Sequence, residues 1–137
     1  MNRIKYDLNL MKFISLFESL TNAKVKDCID SEQLIFVVEE NEIGKAIGKH
    51  GVNVKKMIGI LKRPIKIVEF SSDLLQFIKN FIYPLQLKNI GDEAGLVTIS
   101  GVDTKTNGLL IGRDRKNLEI LKSIVKRYFP IEDIKVV

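Results

Sequence analysis

The sequence predicts a two-layer α+β fold built twice over, and three observations carry that reading. Stretches of helical apolar spacing alternate with short β-type runs in the order helix, strand, strand, helix, loop, helix, strand, and the order occurs twice in 137 residues. The loop "GKAIGKHG", Gly44 to Gly51, is echoed by "GLLIGRDR", Gly108 to Arg115, and the two Ile-Gly pairs stand 64 positions apart. With 45% hydrophobic and 28% charged residues, the composition suits one ordinary core or two small ones.

In the first half, Leu10, Phe13, Ile14, Phe17 and Leu20 fall on one side of an amphipathic helix that Asp7 can cap. "KVKDCID" and "QLIFVVE" are short, apolar or β-branched, and separated by the turn-prone Asp30-Ser31, which predicts two strands. A short helix over Glu42 to Ile47 follows. Beyond the loop, Val54, Met57, Ile58 and Leu61 form one buried helical stripe, with Lys55, Lys56 and Lys62 on the other side. Pro64 ends that helix and "IKIVEF" resumes as a strand.

The second half opens with Ser72 or Asp73 as a cap, then a helix with Leu74, Leu75, Ile78 and Ile82 inward and Pro84 as its stop. "LQLKNI" and "GLVTISGV" are expected strands across the turn "GDEAG". A helix near Thr104 to Leu110, the second loop, a helix burying Leu118, Leu121, Val125 and Tyr128, and the strand "IEDIKVV" complete the copy. Two closely joined domains are expected, residues 1–70 and 71–137, without a flexible spacer.

Composition narrows the function classes. No apolar run approaches the roughly 18 to 20 residues of a membrane span, and Asp7 interrupts any leader-like core, so a cytoplasmic protein without membrane partners is expected. One cysteine, Cys28, and one histidine, His50, leave no zinc-type cluster, and neither a metal nor a cofactor is expected. Net charge is +5 and is unevenly spread. From Lys45 to Lys66 there are seven Lys or Arg and no Asp or Glu, so this segment carries +7 and the remainder about −2. Such a concentration suits either an anionic partner or a solvated face.

The loops sharpen the choice. In register, Gly44 matches Gly108, Ile47-Gly48 matches Ile111-Gly112, Asn53 matches Asn117 and Val54 matches Leu118. A glycine after one helix permits a sharp reversal, and the next helix offers unsatisfied N–H groups and the positive end of its dipole, a setting that attracts phosphate. Lys49 and His50, or Arg113 and Arg115, add side-chain donors, while Gly48 and Gly51 leave room for a sugar-phosphate chain to come near.

"IGKHGVNV" resembles the Ile-Gly-x-x-Gly-x-x-apolar signature of KH domains, whose loop clamps about four nucleotides of single strand. The element order resembles the type II, prokaryotic form, and two such domains in tandem over nearly the whole chain resemble the short NusA-like transcription factors of archaea. The resemblance implies single-stranded RNA as partner, with Lys45, Ile47, Gly48, Lys49, His50, Gly51 and Lys55 at the first loop. Ile111, Gly112, Arg113, Asp114, Arg115 and Lys116 are their counterparts at the second. It also implies a shallow base-binding groove, walled by Ile43 and Ile47 against Ile65 to Val68, and by Leu110 and Ile111 against Ile131 to Ile134. The second loop departs from the pattern, because Arg115 stands where Gly51 stands and Asp114 adds a negative charge.

Other motifs fit less well. Only three residues separate Gly44 from Gly48-Lys49, and His50 stands where a P-loop needs Ser or Thr, so nucleotide hydrolysis is not expected. His50 has no Ser, Cys or carboxylate fixed near it to make a catalytic base. Cys28, Met57 and the phenylalanines are assigned to core packing. The expected function is a non-enzymatic RNA-binding factor of transcription elongation or termination. A ribosome-assembly or translation module is the first alternative, and an adaptor to RNA polymerase or other transcription factors, with one working RNA loop, is the second.

Overall fold

The computed structural model describes residues 3–137, with side chains from residue 8 onward. It divides into two compact units, Met1–Ser71 and Ser72–Val137. In the first, helix α1 (Arg3–Thr21) begins four residues before Asp7, so the expected cap position lies inside the helix, and the Asp7 side chain is outside the described residues. The helix ends where the Thr21 hydroxyl donates to the Phe17 carbonyl at 2.8 Å and accepts from the Ala23 N–H at 3.0 Å. Asn22 at φ 61° then turns the chain out, a conformation asparagine tolerates well.

Strands β1 (Val25–Asp30) and β2 (Leu34–Val38) pair antiparallel. Helices α2 (Ile43–Ile47) and α3 (Val52–Leu61) carry the chain over to β3 (Ile65–Glu69), which pairs parallel to β2. The sheet order is β1-β2-β3. Central β2 is wholly buried, and Phe36 on it stacks on Phe17 of α1 with ring centroids 4.2 Å apart. Met57 and Cys28 complete the core among Leu34 and Val38. Burial, reinforced by Asp27 and Asp30, pushes the Cys28 thiol up to about 12, so it stays protonated at neutral pH.

The expected stripe of α3 is narrower than its periodicity suggests. Met57 is fully buried and Val54 and Leu61 partly so, but Ile58 is 40% exposed. The helix packs on α1, α2 and β3 with Met57 as its buried residue. It stops at Leu61 because Lys62 takes a left-handed turn, its N–H reaching the Ile58 carbonyl at 2.8 Å, two residues before Pro64.

The second unit repeats the topology with α4 (Leu74–Ile82), β4 (Leu87–Glu93), β5 (Leu96–Gly101), α5 (Thr104–Ile111), α6 (Lys116–Tyr128) and β6 (Asp133–Val136). Its sheet order is β4-β5-β6, again antiparallel then parallel. Asp73 stands at the start of α4 without a side-chain capping bond. Phe77 and Phe81 share the buried face with Ile78 and Ile82, whereas Leu74 and Leu75 are only partly covered. Strand β4 runs through Gly91, Asp92 and Glu93, and the reversal shrinks to Ala94-Gly95, both at positive φ. This is the two-residue hairpin turn whose twist matches the strands, and the Asp92 carboxylate accepts from the Gly95 N–H at 3.0 Å. On α6, Leu118, Leu121, Ile124 and Val125 are buried, with Tyr128 partly so.

Candidate nucleic-acid interface

Each loop is a single tight turn between two helices, closed by an N–H to carbonyl bond three residues back, and the two copies have the same backbone. Gly48 lies at φ 77°, ψ 168° and Gly112 at φ 76°, ψ 173°. The next residue but one is left-handed in both, His50 at φ 57° and Asp114 at φ 54°. So is its successor, Gly51 at φ 73° and Arg115 at φ 63°. The hydrogen bonds correspond as well: the Gly51 N–H reaches the Gly48 carbonyl at 3.0 Å, and the Arg115 N–H reaches the Gly112 carbonyl at 3.2 Å. The loss of the second glycine therefore leaves the turn intact and changes only what it presents.

The two glycines of the first motif serve different purposes. A Cβ on Gly48 would lie 2.8 Å from the Asn53 side-chain nitrogen, and one on Gly112 2.6 Å from Cγ of Asn117. A Cβ on Gly51 would meet nothing within 4 Å. Close approach at Gly48 is thus to the protein's own asparagine, a residue to which the sequence assigned no role although it recurs in both copies.

The expected cations divide into groups. Lys49, His50, Lys55, Lys56 and Lys62 are exposed around the first loop and along α3. Lys45, also exposed, sits 3.4 Å from the Glu42 carboxylate. A hydrogen bond from the Lys24 N–H, with help from Lys45, holds that carboxyl below the usual range. Arg63 is committed to the fold, 2.7 Å from Asp30 and bonded to the Ser31 carbonyl. Lys66 is half-buried in β3, and desolvation lowers its ammonium from the usual lysine value. The +7 segment therefore offers its charge mainly through the loop and α3.

At the second loop Arg113, Asp114, Arg115 and Lys116 are all exposed. Arg115 lies 3.6 Å from Glu119, the residue that stands where Lys55 stands in the first copy. Lys122 bridges Glu119 at 3.6 Å and Asp133 at 2.9 Å, and its hydrogen bond holds the Asp133 carboxyl below the usual range. The turn is the same, but its surroundings are of mixed sign.

The expected groove is shallower than supposed. Ile65 and Val68, three apart in β3 and so on opposite faces of it, are both buried, as are Leu110 on α5 and Ile134 on β6. Ile47, at 38% exposure, with the partly exposed Ile43 and Ile67, is what the first unit can offer to a base; Ile111 and Ile131 are the partly exposed residues of the second. Among the described residues no His/Cys/Asp/Glu group is arranged to hold a metal, and no helix is long and apolar enough to cross a membrane.

Comparison with known proteins identifies the fold and the family. A KH-domain family profile matches residues 14–72. A probable transcription termination protein NusA from Methanococcus vannielii is 38% identical over 98% of this chain and 80% of its own length. Its namesake from Methanocaldococcus jannaschii is 35% identical over 90% of this chain and 70% of its own. That of Halococcus morrhuae is 30% identical, with 97% and 98% covered. The crystal structure of APE1850 superposes with a TM-score of 0.71 at 30% identity, covering 95% of this chain and 99% of that one. With two type II KH units and relatives aligned over nearly its whole length, the chain belongs to the archaeal NusA-like family of KH-domain proteins.

Proposed function

We propose that the chain binds single-stranded RNA through both loops, without catalysing a reaction, and acts in transcription elongation or termination by holding the nascent transcript. The observation that carries this reading is the shared loop backbone. Two successive left-handed residues, His50-Gly51 in one loop and Asp114-Arg115 in the other, turn the chain just ahead of a helix N-terminus, a setting that suits phosphate. Exposed Lys49, His50 and Lys55 serve the first loop, with Gly48 and Gly51 shaping it and Lys45 and Ile47 at its margin. Arg113, Arg115 and Lys116 serve the second, beside Gly112, Ile111 and Asp114. The names of the relatives support the assignment to transcription.

Salt dependence tests the phosphate contacts. The logarithm of the binding constant for single-stranded RNA should fall with log salt by roughly 0.7 per phosphate neutralised, and Lys49→Ala should make the slope shallower by about one such step. An unchanged slope at unchanged affinity removes Lys49 from the interface.

A second reading applies to the second unit alone. Asp114 and Glu119 stand where the first unit has His50 and Lys55, which favours a protein surface such as RNA polymerase over a phosphate chain there. RNA crosslinked to the chain in cells separates the readings: nascent transcripts joined to both loops support the first, RNA joined to the first loop alone supports the second, and ribosomal RNA supports a ribosomal role.

A further inference from the structure

We propose that Asn53 and Asn117 are the positioning residues of the two loops, each holding its turn in the shape that receives phosphate. Near the start of α3, the Asn53 amide donates to the Lys45 carbonyl at 2.8 Å. At the matching place in α6, the Asn117 amide donates to the Leu109 carbonyl at 2.9 Å. Both acceptors lie in the last turn of the helix before the loop, where carbonyls lack an intrahelical partner. One side chain thereby ties the helix before the loop to the helix after it.

The tie matters because the loop is unfavourable by itself. Left-handed His50, Asp114 and Arg115 each carry a backbone penalty, and α2, at five residues, is far too short to hold its own form. The asparagine also fills the space beside the first glycine, where a Cβ would come within 2.8 Å of it in one copy and 2.6 Å in the other. This accounts for the pattern of retention between the copies. Gly48 and Asn53 have their counterparts in Gly112 and Asn117, whereas Gly51, whose absent Cβ faces open space, is replaced by Arg115.

The functional part rests on the RNA-binding reading above, so the test has two separate readouts on the full chain. Asn53→Ala removes the tie, and Asn53→Leu keeps a branched side chain of similar size without the hydrogen bond. Millisecond exchange of the amides from Gly48 to Val52 is measured by NMR relaxation dispersion without RNA. Affinity for an eight-nucleotide oligouridylate is measured well below each melting temperature. Both variants should show new exchange confined to the first loop, leaving Gly112 to Lys116 quiet, and should bind about fivefold more weakly, the scale of one hydrogen bond. Wild-type exchange behaviour in either variant overturns the tie. New exchange with wild-type affinity overturns its role in binding. Failure of the unaltered chain to bind RNA overturns the RNA reading instead, and the exchange data then decide the tie alone.

Discussion

Replacing Lys49 and His50 together with Asp is expected to weaken RNA binding by the first unit at least about a hundredfold, because like charges brought together at an interface are worth several kcal/mol. Two carboxylates would stand where phosphate is to sit, ahead of the helix end that attracts it. The fold should be untouched. Both positions are exposed, and Asp114 shows at φ 54° that aspartate accepts the left-handed conformation of His50. The matched pair is Arg113→Asp with Arg115→Asp. If both loops grip one continuous RNA, the second contact is intramolecular and a strand of about eight nucleotides should bind far more tightly than one of about four. Either double substitution should erase that advantage. A second-loop variant with wild-type affinity for the longer strand removes that loop from the RNA site and favours a protein partner for it. Thermal melts on the same samples separate lost contact from lost fold.

Gly48→Ala is expected to destabilise the first unit by about 3 kcal/mol, combining a backbone region that side chains avoid with overpacking against Asn53. At roughly 4 °C or more per kcal/mol for a unit of this size, its melting transition should fall by more than about 10 °C. Gly51→Arg makes the same residue change that distinguishes the second copy and should cost only the left-handed backbone penalty of about 1 to 2 kcal/mol, since Arg115 holds φ 63° and the added Cβ meets open space. Calorimetry of the full chain compares the two. Equal losses would mean that the glycines are not divided between an inward and an outward role.

The order of elements was legible because apolar spacing is a direct record of which side of a helix or strand is covered. Its limits show at particular residues. Ile58 has the spacing of a core residue yet is 40% exposed, because burial depends on how wide a neighbouring element is, which periodicity does not encode. Phe77 and Phe81 lie on the buried face of α4, while the expected Leu74 and Leu75 are at its edge. Glycine and acidic content made Gly91 to Glu93 look like turn, but β4 is an edge strand with exposed positions that tolerate such residues. Ile65 and Val68 could not be told from groove residues in a strand of apolar character. Arg63 could not be separated from the loop cations without knowing that Asp30 lies 2.7 Å away. Asn53 did leave a signal, its recurrence 64 positions on, but its hydrogen bond spans two helices and exists only once they are folded.

The most direct measurement is an amide-shift titration of the labelled full chain with an eight-nucleotide single-stranded RNA. If the two loops together form the RNA-binding surface, the amides from Gly48 to Val52 and from Gly112 to Lys116 should shift and saturate together, with smaller changes at Ile47 and Ile111. The helices α1 and α4 should stay still. Shifts confined to β1 and β4, with both loops silent at saturating RNA, would contradict the assignment of binding to these turns.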